Sequence, residues 1–239
     1  MSLKLIDEGY DFQIVVTQGW VFRFPRRADA EEWLRTEVEA LPALAAALPV
    51  AVPHFEHVSR DPAFVAYRLI EGQPLAREDP DGVRAFLDAL HSADAPVPRP
   101  DWQTLYRSHC ERFAKTVVPL LEPGDRDAAA ALFAEVETLT GYEPAVVHCD
   151  LGPAHLLVRE GKLAGVIDWS HVSWGDPAVD YAWLAHVPFA EWELDDELRR
   201  RSRFYHRLGP WFEADYGLRF DKPDYVRDGL AGIVRRLHS

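Results

Sequence analysis

The first 70 positions of the chain alternate short apolar runs with turn residues, a pattern that predicts β-strands. Gln18-Gly19 lies between two of these runs and predicts a hairpin turn. The chain therefore opens with a predicted antiparallel sheet. The apolar runs are Leu5–Ile6, Phe12–Val16, Trp20–Phe24, Phe55–Val58 and Phe64–Ile70.

One helix is predicted between these strands, because apolar residues recur there at helical spacing. Asp29 is the predicted N-cap, and the acidic Glu31 and Glu32 follow it in the first turn. Pro42 is predicted to end or kink this helix. Its apolar face is formed by Trp33, Leu34, Val38 and Leu41.

Beyond position 70 the spacing of apolar residues becomes mainly helical. No internal repeat of 20–50 residues and no low-complexity tract interrupts this part of the chain. The sequence therefore predicts a β-rich first part and a helix-rich second part. Helices are predicted at 83–91, 102–121, 125–141, 190–208 and 222–237, and another is predicted to continue beyond Asp180.

A second pair of strands is predicted within the helical part. Leu156–Val158 and Leu163–Ile167 are apolar runs, and the segment 159–162 between them contains Gly161, which predicts a hairpin loop. A hairpin of this kind carries the loop 149–155 at the start of its first strand and Asp168 at the end of its second. We therefore expect this loop and Asp168 to lie close together.

Asp150, His155 and Asp168 have the spacing that kinase-type phosphoryl transfer requires. That chemistry uses one carboxylate to receive the proton of the acceptor hydroxyl and two ligands to hold Mg²⁺ against the phosphates. In kinase catalytic loops the base and a metal ligand lie five positions apart, and a second metal-binding Asp follows a hairpin. The first spacing is reproduced by Asp150 and His155, and the later position by Asp168.

The net charge of −13 is unevenly distributed along the 239 residues. Residues 1–70 carry 7 basic and 10 acidic side chains, whereas residues 71–239 carry 19 and 29. An acidic surface disfavours nucleic acid as a partner, because a phosphate backbone needs Lys and Arg for neutralisation. It would suit a cationic small molecule, and it is equally explained as a surface that maintains solubility.

Two cysteines, Cys110 and Cys149, form neither a disulfide framework nor a metal-binding spacing. Free thiols are typical of a reducing cytosol, so we expect a cytoplasmic protein. No apolar run approaches the length of a membrane span, and no secretory signal is visible, so no membrane partner is expected. The segment Met1-Ser2-Leu3 is compatible with either a native start or an expression remnant.

Three segments of the chain, in order, resemble the aminoglycoside/macrolide phosphotransferase family. The segments are HCDLGPAHLLV at 148–158, GVIDW at 165–169 and GDPAVD at 175–180. The chain departs from the family pattern at Cys149, where Gly is usual, at Gly152, where His is usual, and at His155, where Asn is usual. The last departure concerns a metal ligand, and His is a less usual Mg²⁺ ligand than an amide oxygen.

The resemblance implies an α+β, bilobal, protein-kinase-like fold, related to choline kinases. The implied N-lobe is small and β-rich with one main helix, and it binds nucleotide. The implied C-lobe is larger and mainly helical, and it carries the catalytic loop and the acceptor site. We place the two lobes at 1–70 and 71–239.

The resemblance also assigns roles in the catalytic stretch. Asp150 would be the catalytic base, and His148 a second catalytic-site residue that buttresses the loop through hydrogen bonds, a role as catalytic acid being the alternative. His155 and Asp168 would hold Mg²⁺. Asp180 would accept hydrogen bonds from the backbone of the catalytic loop.

Nucleotide contacts are implied for the N-lobe and the connection that follows it. Arg23 would pair with the phosphates in place of the usual Lys, and the helix residue Glu37 would pair with Arg23; the alternative is a solvent-facing Arg23. Backbone groups of Leu69, Ile70 and Glu71 would bind the nucleotide base. The segment Gly9–Phe12 would cover the phosphates.

These residues together predict an enzyme that transfers the γ-phosphate of ATP or GTP to a hydroxyl of an aminoglycoside- or macrolide-like antibiotic. Two alternatives remain open on the same motifs. One is a kinase of a primary metabolite such as an amino alcohol or a sugar, and the other is a catalytically weak nucleotide-binding relative. An acidic cluster near the predicted helix 190–208, which includes Glu191 and Glu197, is interpreted mainly as intrahelical ion pairs with neighbouring arginines. The alternative, which the family resemblance implies, is that one of its carboxylates faces the acceptor pocket.

Overall fold

The computed structural model describes residues 3–6, 11–76, 79–184 and 193–238. The fold is α+β, as predicted, with an antiparallel sheet in the N-terminal part and a mainly helical C-terminal part. No helix within these described ranges has the length and apolar character needed to cross a membrane.

The elements are named here in chain order. The strands are β1 (Leu3–Ile6), β2 (Phe12–Thr17), β3 (Trp20–Pro25), β4 (Phe55–Arg60), β5 (Ala63–Arg68), β6 (Gln73–Pro74), β7 (Ala145–Val147), β8 (Leu156–Arg159), β9 (Lys162–Val166) and β10 (Ser173–Gly175). The helices are α1 (Ala28–Ala47), α2 (Pro80–His91), α3 (Trp102–Thr116), α4 (Pro123–Ala134), α5 (Ala178–Leu184), α6 (Asp196–Arg219) and α7 (Pro223–Leu237).

The chain divides into two compact units. The first comprises residues 1–99 and 144–180, and the second comprises residues 100–143 and 181–239. The predicted lobes, 1–70 and 71–239, divide the chain by the ligand that each would bind and not by its internal contacts. That division stays a prediction.

The first unit contains a five-stranded antiparallel sheet in the order β1-β2-β3-β5-β4. The predicted turn between β2 and β3 is confirmed, because Gln18 and Gly19 both have positive φ, 51° and 75°. Two successive residues with positive φ form the hairpin turn that matches the right-handed twist of the strands. The sheet carries Arg23 inward on β3.

Helix α1 contributes to an apolar core in the first unit. Its residues Ala30 and Leu34 cluster with Phe12 of β2 and Val65 of β5. The prediction that Asp29 caps this helix is wrong: the N-cap is Arg27, which makes no side-chain capping bond. The Asp29 carboxylate instead accepts from the adjacent Ala30 N–H and pairs with Nε of Arg27 at 2.6 Å.

The helix also continues past Pro42 to Ala47, so this proline does not end it. Proline removes one intrahelical hydrogen bond, and burial of Leu41 and Leu44 on either side of it offers a compensating gain.

Two smaller sheets complete the first unit and frame the catalytic stretch. The predicted hairpin is confirmed as β8 and β9, and its turn residues Glu160 and Gly161 have φ of 54° and 75°. Strand β6 pairs with β8 on the other side, and β7 pairs with β10. Asp79 joins helix α2 to this hairpin, because its carboxylate accepts from Gly82 N–H at the helix start and from Leu163 N–H at 2.8 Å.

The second unit is helical, as predicted. Helix α6 differs from its prediction, because it runs on through Pro210 to Arg219 instead of ending near 208. A proline within a helix leaves the carbonyl four residues earlier without its usual donor. That carbonyl, on His206, accepts a hydrogen bond from Arg236 of α7, which explains how the helix tolerates the proline.

Candidate active site

The catalytic loop between β7 and β8 is fastened at its start by one buried carboxylate. Asp180 accepts hydrogen bonds from the backbone N–H of His148 at 3.1 Å and of Cys149 at 2.9 Å. The predicted hydrogen bonds from loop to Asp180 are therefore confirmed. Nε2 of His91, at the end of α2, lies 3.0 Å from the same carboxylate. The sequence placed His91 only as a helix end, so this contact was missed.

His148 joins the catalytic loop to the end of β9. Its Nε2 lies 3.1 Å from the carbonyl oxygen of Ile167, and its Nδ1 accepts from Asp150 N–H at 3.3 Å. Because a carbonyl can only accept, Nε2 carries the hydrogen and the ring is neutral. Burial lowers the pKa of His148, which keeps the ring neutral. Both nitrogens are engaged by backbone, which fits the expected buttress and leaves neither free for acid catalysis.

Cys149 adopts a left-handed backbone conformation with φ of 70°. Glycine reaches this region without steric cost, whereas other residues are strained by roughly 1–2 kcal/mol. This explains why the family pattern has Gly at the position. Burial raises the pKa of the Cys149 thiol, and the nearby Asp180 and Asp150 raise it further, so the group stays protonated.

Asp150, His155 and Asp168 lie together, as the hairpin predicted. One ligand atom of each lies within 4.8 Å of the other two. The His155 Nδ1 is 2.6 Å from the carbonyl oxygen of Asp150, and its Nε2 is 3.7 Å from Oδ2 of Asp168. Their side chains remain accessible, with exposed fractions of 47% for Asp150, 23% for His155 and 41% for Asp168. We call these three residues the ligand trio.

The trio fits a divalent cation by the chemistry of its donors. It offers two carboxylates and an imidazole, and the imidazole is anchored through Nδ1 on a backbone carbonyl in the manner common to metal-binding histidines. Neutral imidazole and carboxylate are both established ligands of divalent ions.

Asp168 has its two carboxylate oxygens in different surroundings. Oδ1 accepts from Nη2 of Arg23 at 3.0 Å and from the hydroxyl of Ser170 at 2.9 Å, while Oδ2 is the oxygen that lies nearest to His155. Burial alone would raise the pKa of Asp168, but Arg23, His155 and Ser170 outweigh it and hold the pKa at about 2. Asp168 is therefore ionised at neutral pH, as a metal ligand must be.

Arg23 is buried and surrounded by partners. Its Nη1 donates to Glu37 at 2.6 Å, and its Nη2 donates to Asp168 and to Ser170, each at 3.0 Å. The guanidinium also lies over the ring of Phe12, 4.2 Å from its centroid. Only 3% of the Arg23 side chain is exposed, so the alternative of a solvent-facing residue is wrong.

The expected pairing of Arg23 with Glu37 is confirmed. Against the effect of burial, Glu37 and Asp168 raise the pKa of Arg23. Burial raises the pKa of Glu37, and Arg23 opposes that rise. The charged guanidinium of Arg23 and the charged carboxylate of Glu37 therefore each stabilise the other. We call Arg23, Glu37 and Ser170 the buried network.

Ser170 is a member of the site that sequence reasoning missed. Its hydroxyl lies 2.8 Å from Oε1 of Glu37 and 2.9 Å from Oδ1 of Asp168, and it also accepts from Arg23. One hydroxyl has one hydrogen, so the two carboxylates share it. The only signal in the sequence is a small hydroxyl residue two positions after Asp168.

The segment predicted to hold the nucleotide base approaches the catalytic hairpin closely. A Cβ on Gly165 of β9 would lie 2.5 Å from Cγ2 of Ile70, so this contact needs glycine. The N–H of Leu69 already donates to the carbonyl of Gly19 at 2.9 Å, which leaves other backbone groups of the segment for a base. Leu69, Ile70 and Glu71 line a surface cavity of about 500 Å³.

Two remaining predictions fall partly outside the described residues. Gly9 and Tyr10 of the expected phosphate-covering segment lie there, and within the segment Asp11 pairs with Arg27. Glu191 of the acidic cluster also lies outside the described residues. Inside the described part, the expected intrahelical pairing is confirmed for Glu197 with Arg200, at 2.9 Å.

The sequence matches a family model described as the phosphotransferase enzyme family over residues 2–217. The chain is 40% identical to viomycin phosphotransferase of Streptomyces vinaceus over 99 residues, which are 40% of this chain and 33% of that protein. It is also 25% identical to the uncharacterized protein YcbJ of Bacillus subtilis (strain 168), over 87% of this chain and 76% of that protein.

Solved structures of antibiotic phosphotransferases share the fold. The GDP and kanamycin complex of APH(2")-IIIa superposes with a TM-score of 0.86 at 24% identity, covering 99% of this chain and 93% of that one. The macrolide 2'-phosphotransferase MphH from Brachybacterium faecium superposes with a TM-score of 0.73 at 22% identity, covering 97% and 91%. At these identities the likeness shows the fold alone, and it confirms the protein-kinase-like architecture.

Proposed function

Because the chain belongs to the phosphotransferase enzyme family and is a phosphotransferase with an alcohol group as acceptor, we propose which donor and which class of acceptor it uses. We also propose which residues carry out the transfer. The donor is ATP or GTP, and the acceptor is a hydroxyl of an aminoglycoside- or macrolide-like small molecule. Known neighbours of the fold bind GDP and kanamycin or act on macrolides, which supports both parts.

The observation that carries the proposal is the ligand trio. Asp150 lies within 4.8 Å of both His155 and Asp168, and 47% of its side chain is accessible to an acceptor. A carboxylate beside two metal-type ligands is the minimum that kinase-type transfer requires of a protein.

Asp150 orients the acceptor hydroxyl and receives its proton. The acceptor oxygen forms a bond to the γ-phosphorus while the bond from that phosphorus to the β,γ-bridging oxygen breaks, and the nucleoside diphosphate leaves. The proton then passes from Asp150 to solvent. His148 acts by holding the backbone N–H of Asp150 through Nδ1 and the carbonyl of Ile167 through Nε2, which ties the loop to the segment that follows β9.

His155 and Asp168 would hold Mg²⁺, which when bound neutralises charge on the nucleotide phosphates. Arg23, fixed by Glu37, places positive charge beside Asp168. This charge would act on the nucleotide phosphates when they are bound there. Residues 1–70 with the backbone of Leu69 to Glu71 would bind the nucleotide, and residues 71–239 the acceptor.

The acceptor is expected to be cationic, because residues 71–239 carry ten more acidic than basic side chains. Residues Cys110 and Cys149 are both free thiols, which supports a reducing, cytoplasmic setting. A role in antibiotic resistance follows from the proposed acceptor class.

The proposal is tested by a mass-spectrometric screen of the purified protein. Protein, Mg²⁺ and ATP or GTP are incubated with aminoglycosides, macrolides, amino alcohols and sugars. We expect one phosphate mass to be added to an aminoglycoside or a macrolide. Phosphorylation only of an amino alcohol or a sugar would contradict the acceptor class, and nucleotide binding without any product would contradict the enzymatic role of this site.

Asp150→Ala is the control for this screen. Loss of a general base typically costs 10²–10⁴-fold in rate, so we expect turnover to fall by about 10³-fold. The bonds of Asp150 to His148 and His155 use its backbone, so they survive the substitution and the fold should be kept. Near wild-type turnover in Asp150→Ala would exclude Asp150 as the base.

A further inference from the structure

We propose that the cation site formed by His155 and Asp168 prefers Mn²⁺ to Mg²⁺ more strongly than it would with an amide ligand at position 155. The inference deepens the proposed function, on which it rests, by naming the class of cation that the site takes. It starts from the imidazole of His155, the ligand in which this chain departs from the family pattern.

The hydrogen bonds of His155 fix which nitrogen can bind a metal. Nδ1 lies 2.6 Å from the carbonyl oxygen of Asp150. A carbonyl oxygen only accepts, so Nδ1 carries the hydrogen, and in the neutral ring the lone pair is on Nε2. Nε2 is therefore a ready metal ligand whose orientation is set by backbone.

Nε2 of His155 faces Oδ2 of Asp168, and neither atom makes a hydrogen bond to a residue that the structure describes. Nε2 of His155 lies 3.7 Å from Oδ2 of Asp168, which is longer than a hydrogen bond of about 2.7–3.2 Å. Metal–nitrogen and metal–oxygen bonds of about 2.1 Å each can span this separation. Oδ1 of Asp168 is held by Arg23 and Ser170, so the facing oxygen stays oriented.

The ligand atoms of the site, one imidazole nitrogen and one carboxylate oxygen, determine which divalent ion binds with the higher affinity. Mg²⁺ is a hard cation that strongly prefers oxygen ligands and octahedral geometry. First-row transition ions accept imidazole nitrogen more readily than Mg²⁺ does, and Mn²⁺ is the member of that series that also favours carboxylate and other oxygen ligands. Replacing an amide oxygen by Nε2 therefore costs affinity for Mg²⁺ and favours an ion such as Mn²⁺.

The test measures binding with a non-transferable nucleotide, so it does not depend on turnover. Mn²⁺ binding to full-length protein with the β,γ-imido analogue of ATP or GTP is followed by the electron paramagnetic resonance signal of free Mn²⁺. Mg²⁺ affinity is obtained by competition. The ratio of the Kd for Mg²⁺ to the Kd for Mn²⁺ should be about tenfold larger in wild type than in His155→Asn.

His171→Asn is the matched control. It makes the same substitution three positions from Asp168, at a side chain that is 41% exposed and whose contacts are Asp11 and the Trp33 ring. His171 helps to lower the pKa of Asp168, but an effect on that carboxylate's charge acts alike on two divalent ions. This variant should keep the wild-type ratio. Equal ratios in wild type and His155→Asn, or an equal shift in His171→Asn, would overturn the proposal.

A spectroscopic readout keeps the test decisive if His155→Asn does not fold. Electron spin-echo modulation of Mn²⁺ in the wild-type complex should show coupling to an imidazole nitrogen. Absence of that coupling would overturn the proposal by itself. A protein that shows the coupling but phosphorylates nothing would instead contradict the proposed function and leave the cation preference standing.

Discussion

The buried network and the ligand trio are adjacent, and they differ in how many of their polar atoms already have protein partners. Arg23 and Glu37 have side-chain exposures of 3% and 0%, and Arg23 donates to three different residues. Asp150 and Asp168 are 47% and 41% exposed. Within the described part of the chain, Oδ2 of Asp168 and Nε2 of His155 make no hydrogen bond and lie 3.7 Å from each other.

The difference shows how a fold can hold reactive groups open without losing their orientation. Asp168 belongs to both regions, because one oxygen is bound by the network and the other faces the trio. Because hydrogen bonds within the protein hold Oδ1 of Asp168, the carboxylate is oriented so that Oδ2 can bind a ligand. Substitutions in the network should therefore affect stability, while substitutions in the trio should affect activity and cation binding.

The largest expected effect on stability comes from Arg23→Met. It leaves Glu37 buried with Ser170 as its remaining hydrogen-bond partner described here, and breaking a buried ion pair typically costs about 3–5 kcal/mol. The free energy of unfolding in urea measures the loss. Arg23→Met combined with Glu37→Leu should recover part of it, because no unpaired buried charge remains. A loss below about 1 kcal/mol for Arg23→Met would contradict the central role of the pair.

A smaller decrease in the free energy of unfolding is expected for Ser170→Ala. Its hydroxyl contacts three charged groups, and hydrogen bonds to charged groups contribute about 1.5–3 kcal/mol. Ser173→Ala is the comparison, because the buried Ser173 hydroxyl donates only to the neutral carbonyl of Pro98 and should cost about 1 kcal/mol. Equal losses in urea unfolding would show that the charged partners of Ser170 add nothing.

The smallest effect is expected for Cys149→Gly, in the loop that carries the trio. Glycine would relieve about 1–2 kcal/mol of backbone strain at φ of 70°, and loss of the thiol packing offsets that gain. The free energy of unfolding should stay within about 1 kcal/mol of wild type. Cys149→Val, with a branched side chain at the same φ, should be clearly less stable. Equal stability of the two variants would argue against strain at this position.

The sequence predicted those parts of the fold and site that depend on local chemistry. Gln18-Gly19 and Glu160-Gly161 specify hairpin turns through positive φ, and the observed strands follow from them. The five-residue spacing from Asp150 to His155, together with the hairpin, predicts that the trio lies together, and the structure confirms it.

What the sequence could not predict depends on partners far along the chain. Ser170 becomes part of the site because Glu37, 133 positions away, lies beside it. Helix α6 passes Pro210 because Arg236, 30 positions after His206, satisfies the freed carbonyl. Asp29 has the composition of an N-cap, but the helix begins one residue earlier, at Ala28.

The attachment of the catalytic loop to Asp180 has a consequence for the thermodynamics of substrate binding. Ordering a backbone residue costs roughly 1–2 kcal/mol in conformational entropy, wherever in the cycle the ordering occurs. Asp180 holds the N–H groups of His148 and Cys149 by bonds made within the protein itself, so that cost falls on folding. The affinity for nucleotide and acceptor is then not reduced by having to organise this part of the loop, and binding should show no large entropic penalty from it.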